Sequence, residues 1–88
     1  MSEAAVSHHP DAEPLAKLSP RELEVLEMAA RGLTNAQIAK RLFVTVHAVK
    51  FHLAGIYRKL GVGNRTEAAV MYLRAGGPTV YAAPDQPF

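Results

Sequence analysis

The 88-residue chain contains no cysteine and no tryptophan. Without thiols it can form neither a disulfide framework nor a thiolate metal site, a pattern that fits a reducing compartment. It has no apolar run near the roughly 20 residues that a membrane-spanning helix requires. The opening residues MSEAAVSHHPDAEP lack a basic segment followed by an apolar block, so no secretory signal is expected and the cytoplasm is the default location. No glycine-rich phosphate loop or internal repeat occurs, and Ser2, Ser7 and Ser19 have no companion base and acid. Neither enzymatic activity nor a cofactor is expected. The histidines make a poor metal site: His8 and His9 lie in a proline-containing arm, and His47 and His52 stand five apart rather than the three or four that align on a helix. A chain of this length supports one domain with a modest core.

Negative charge is missing from the middle of the chain. Residues 18–75 hold nine bases and four acids, whereas residues 1–17 carry a net −2 and residues 76–88 a net −1. Within residues 31–65 stand Arg31, Lys40, Arg41, Lys50, Arg58, Lys59 and Arg65, and not one acid. Thirty-five residues without a carboxylate point to a surface that does not repel a polyanion.

What is present is a series of well-marked helices. Ser19 is a strong N-cap, Pro20 suits the first helical position, and Glu22 completes a capping box; Gly32 supplies the stop after Arg31. Thr34 with Gln37 repeats the pattern for a second helix to about Leu42, and Thr45 caps a third that ends at Gly61. The pairs Leu18/Leu23, Leu33/Ile38 and Val44/Val49 are placed as hydrophobic staples. Asn64, with Glu67 at the capping-box position, opens a fourth helix that stops at Gly76-Gly77. Its residues Ala69, Val70, Met71, Tyr72 and Leu73 make it apolar almost all round, more than packing on its own domain needs, so they are the candidate dimer interface. Residues 1–17 are expected to be a disordered arm and residues 77–88, with three prolines, a flexible tail.

The third helix carries the strongest functional signal. Val49, Leu53, Ile56 and Leu60 form a stripe for the core, and the opposite arc centres on His47, Phe51, Ala54 and Arg58, with Lys50 and Lys59 on its flanks. His52 lies at the edge of the core stripe and is expected to be partly buried and hydrogen-bonded. Gly55 costs about 1 kcal/mol against Ala in a helix interior, and both close approach and simple tolerance are open readings. Two short helices joined by Phe43-Val44-Thr45, the second longer and basic, match a helix-turn-helix, with Ala39 and Val49 at the crossing and Phe43 where older versions place glycine.

The run LSPRELEVLEMAARGLTNAQIAKRLFVTVHAVKFHLAGIYRKLGVGNRTEAAV resembles the LuxR-type helix-turn-helix DNA-binding domain, with LSPRE, GLTNAQIA, AVKFH and KLGV-x-NRTEA in order. The resemblance implies an all-α four-helix bundle over residues 18–76 between disordered tails, belonging to a bacterial transcriptional regulator whose third helix reads DNA. It implies that Lys50 is a groove or phosphate contact and that Phe51 faces the groove. Ala48 and Ala54 stand where relatives often carry a hydroxyl or a lysine.

Together these readings make His47, Lys50, Phe51 and Ala54 the candidate groove contacts, since the major groove admits an α-helix and displays thymine methyls beside its polar edges. Thr34, Asn35, Thr45 and Val46, at two helix N-termini, and Lys40, Arg58, Lys59 and Arg65 are the candidate phosphate contacts. Double-stranded DNA is the expected partner, bound by a homodimer; RNA polymerase or an upstream regulatory protein is a further candidate, and a membrane is not. A promoter-reading module like region four of a sigma factor, or a helical protein-docking domain, remain the alternatives.

Overall fold

The computed structural model describes residues 10–76. A 3-10 helix, Pro10–Lys17, is followed by α1 (Pro20–Ala30), α2 (Asn35–Leu42), α3 (Val46–Leu60) and α4 (Arg65–Arg74), and the described residues contain no strand. The helical class and the order of elements agree with expectation. The arm does not in full: residues 10–17 are wound rather than free, because Leu15, together with Leu18, is half-buried against the core. Residues 1–9 and the tail expected over 77–88 lie outside the described residues.

Each α-helix starts at a side-chain cap. Ser19 accepts from Glu22 N while Glu22 Oε1 accepts from Ser19 N at 2.9 Å, and Thr34 and Gln37 close the same reciprocal box. Thr45 accepts from Ala48 N and Asn64 from Glu67 N. Glu67 departs from expectation: its Oε1 accepts from Gly63 N at 2.7 Å rather than from the cap residue itself. Among the expected staples, Leu33 and Val44 pack on the core that holds the fully buried Ile38 and Val49, and Leu18 packs on it too, whereas Leu23 stays 38% exposed.

The helix-turn-helix turns on an unusual residue. Phe43 closes α2 in the left-handed region, at φ 58° and ψ 44°, and is 94% exposed. A side chain in that conformation costs about 1–2 kcal/mol, so glycine would be the easier occupant. Gly61, at φ 71°, ends α3 without that penalty.

The core is built where the sequence periodicities meet. Val25, Leu26, Ile38, Val49 and Ile56 are fully buried, joined by Ala29, Ala39, Leu53, Leu60, Ala68 and Tyr72. Each large aliphatic side chain buried this way contributes about 1.5–3 kcal/mol. Helix α1 packs on both α3 and α4, and α2 packs on α3. The small Ala39 and the buried Val49 both belong to this shared core, in keeping with a close crossing of the two helix-turn-helix arms.

Candidate nucleic-acid interface

Helix α3 is held by its apolar stripe and therefore presents its other arc to solvent. His47, Lys50, Phe51, Ala54 and Arg58 are all exposed, Phe51 by 72%, so the structure brings every candidate groove residue onto one open face. Residues 47–58 extend about 16 Å along the helix axis. Lys40, Lys50 and Arg58 form no ion pair among the described residues, which leaves their charge available to a ligand. The aromatic ring of Phe51 meets His52 edge-on, with centroids 5.9 Å apart. His52 is partly buried as expected, and among the described residues it shows this ring contact and no hydrogen bond.

The N-terminal turns of α2 and α3 stand beside this face in sequence and are open. Thr34, Thr45 and Val46 are exposed and Asn35 is half-exposed. In α3, Ala48 N is satisfied by Thr45 Oγ1 and Val49 N by Thr45 O, so the N–H groups of Val46 and His47 have no intrahelical acceptor. Uncommitted donors at the positive end of a helix dipole suit an anion.

Two of the four cationic phosphate candidates are engaged inside the domain. Lys59 Nζ donates to Glu22 Oε1 at 2.8 Å. Arg65 Nη1 donates to Asn35 Oδ1 at 2.9 Å, and its Nη2 donates to the Leu33 carbonyl. Both cations thus tie helices together, a commitment their sequence positions did not reveal.

Glu22 is the residue whose importance the sequence understated. It is only 8% exposed and sits on the buried face of α1, at helical spacing from Val25, Leu26 and Ala29; that spacing was the available signal. Burial pushes its carboxyl up, but the hydrogen bond from Lys59, those from Ser19 and the Lys59 charge outweigh burial and hold it below its ordinary value of 4.5. The same carboxylate explains Gly55. A Cβ at that position would lie 3.0 Å from Glu22 Oε2, a close approach that favours glycine in mid-helix over simple tolerance.

Helix α4 divides differently from expectation. Ala68 and Tyr72, four apart, are buried, so Tyr72 belongs to the core and not to an outer face. Ala69 and Met71 are half-buried. Val70 and Leu73 remain 46% and 51% exposed. Beside them is a groove of about 360 Å³ lined by Pro14, Val62, Thr66, Glu67, Val70, Met71 and Arg74.

Among the described residues no cluster of histidine and acidic side chains could hold a metal, and no helix is long and apolar enough to cross a membrane. The model of the luxR family of bacterial regulatory proteins matches residues 16–72. The chain is 47% identical over 57 residues to the transcriptional regulatory protein LiaR of Bacillus subtilis, covering 65% of this chain and 27% of that protein. It is 40% identical over 65 residues to the nitrate/nitrite response regulator protein NarP of Escherichia coli, covering 74% of this chain and 30% of that protein. A probable transcriptional regulatory protein, SgaR of Hyphomicrobium methylovorum, is 44% identical over 61 residues, covering 69% of this chain and 29% of that protein. The chain thus spans less than a third of the length of these relatives. No solved structure matches it. With a family match that runs from the last turn of the 3-10 helix through the helix-turn-helix and into α4, the chain belongs to the luxR family of bacterial regulatory proteins.

Proposed function

We propose that this domain binds double-stranded DNA in a transcriptional regulator, with α3 in the major groove and two copies paired through α4. The observation that carries the reading is the outward face of α3: His47, Lys50, Phe51, Ala54 and Arg58 together, exposed, within a stretch that has no acid. A groove about 12 Å wide accepts a helix. Phe51 and Ala54 supply apolar contact for thymine methyls and sugars, while His47 and Lys50, nearer the start of the helix, reach base edges or phosphate. Phe51 and Ala54 offer bases no hydrogen bond, so phosphate contact and duplex shape carry much of the recognition.

Phosphates are gripped by the N-terminal turns of α2 and α3, at Thr34, Asn35, Thr45 and Val46, with Lys40 and Arg58 adding charge. Val70 and Leu73, with Ala69 and Met71 beside them, supply the self-association face, and their half-exposed state supports that use. A dimer of this kind reads two half-sites about one helical turn apart. The role is one of binding rather than catalysis, in the cytoplasm at the nucleoid, with RNA polymerase or an upstream regulatory partner acting on the bound complex.

Titrating the protein with duplex DNA at several salt concentrations tests the reading. About six neutralised phosphates give a log-log slope near −5, and amide shift mapping places the largest changes on residues 47–58. No salt-dependent complex at low ionic strength, or shifts confined to another surface, would reject it.

A further inference from the structure

Arg65 is the first residue of α4, and its guanidinium reaches across to the start of α2. Its two acceptors, the Leu33 carbonyl and Asn35 Oδ1, stand on either side of Thr34, the cap of α2. Thr34 is closed within its capping box by Gln37, and Ile38 N is satisfied by Thr34 O. The N–H groups of Asn35 and Ala36 are therefore the donors that this turn leaves over. Arginine has only donors, so the Asn35 atom that faces it must be the amide oxygen. The remaining part of that side chain is Nδ2 with its two hydrogens. Arg65 thereby makes Asn35 a pure donor toward anything outside the domain.

We propose that Arg65 is a positioning residue for DNA binding: it does not touch the duplex but fixes residues 33–35 and turns the Asn35 amide donors toward a phosphate. This deepens the proposed function and rests on the reading of the α2 N-terminus as a phosphate contact. It reassigns an arginine that a charge count would place on the DNA backbone. It also fastens the start of the proposed pairing helix to the phosphate-gripping end of the helix-turn-helix, so the two share one rigid joint.

The test uses the full chain and a mixed-sequence DNA duplex, titrated at several potassium chloride concentrations, for the unsubstituted protein and for R65K, R65Q, N35A and N35A/R65Q. Lysine keeps the charge but offers a point donor in place of a planar fork. R65K and R65Q should both lose about tenfold in affinity, the scale of a charge-assisted hydrogen bond, while keeping the unsubstituted salt slope. The double variant should bind no worse than R65Q, because Asn35 and Arg65 act through one joint. Three results overturn the proposal. One is a slope for R65Q lower by about 1 with R65K restoring it, the mark of a direct phosphate contact. Another is additivity of N35A and R65Q. The last is unsubstituted affinity in R65K and R65Q with only the melting temperature reduced, the mark of a purely structural bond. Failure of the unsubstituted chain to form any salt-dependent complex would instead reject the DNA reading itself, and this inference with it.

Discussion

Helix α3 keeps Val49, Leu53, Ile56 and Leu60 inside and shows solvent His47, Lys50, Phe51, Ala54 and Arg58. Helix α4 buries only Ala68 and Tyr72 and shows solvent Val70 and Leu73, with Glu67 and Arg74 lining the groove beside Val70. Both helices serve one core, but their outward faces differ in kind. One is basic, acid-free and aromatic; the other is apolar with a charge of each sign. A face without carboxylates fits a polyanion, whereas a small apolar face with mixed charge fits another protein surface, including a second copy of itself. The inner stripes hold the fold together, and the outer faces are where the two proposed partners would be told apart.

The contrast can be broken most severely from within. Ile56→Ala removes a fully buried side chain from the α3 stripe and should cost about 2–5 kcal/mol in chemical denaturation, loosening both outer faces at once. Next is a change confined to the basic face. Lys50→Ala should lower DNA affinity by about 1–3 kcal/mol in titration while leaving stability within about 0.5 kcal/mol. An unchanged affinity would remove Lys50 from the interface. On the apolar face, Leu73→Asp should weaken pairing on a two-half-site duplex by about 1 kcal/mol, the worth of a half-buried leucine, and leave binding to a single half-site as it was. Equal loss on both duplexes would show that α4 acts through the fold rather than through pairing.

The mildest effect is that of acid. The folded Glu22 carboxyl lies below its ordinary value of 4.5, so the stability it contributes is fully present above that value and is lost as pH falls through the lowered folded value. Melting temperature should therefore decline as pH drops below about 4.5, and Glu22→Gln should flatten that segment of the profile. A profile unchanged by the substitution would show that the Lys59 pairing contributes nothing.

Most of the architecture was legible because it is written in local chemistry. Ser19, Thr34, Thr45 and Asn64 each cap the helix expected of them, and periodicity alone separated the inner and outer arcs of α3. What escaped was the set of polar and core contacts made between helices distant in sequence. Lys59 reads as a surface cation until Glu22, 37 residues away, is placed beneath it. Arg65 reads as a phosphate ligand until its bond to Asn35, 30 residues away, is seen. Tyr72 is assigned outward by composition and inward by the packing of α4 on α1. Residues 10–17 read as an arm because two prolines hide the single apolar anchor at Leu15.

Gly55 shows what such hidden neighbours mean for redesign. Alanine is the better helix former by about 1 kcal/mol, so a survey of α3 for thermostability would single out this glycine for replacement. The carboxylate 3.0 Å from the added methyl is held through its other oxygen by Ser19 and Lys59 and has little room to retreat. At this position the added methyl would press on the Glu22 carboxylate, and the strained contact between α3 and α1 would offset the gain in helix propensity.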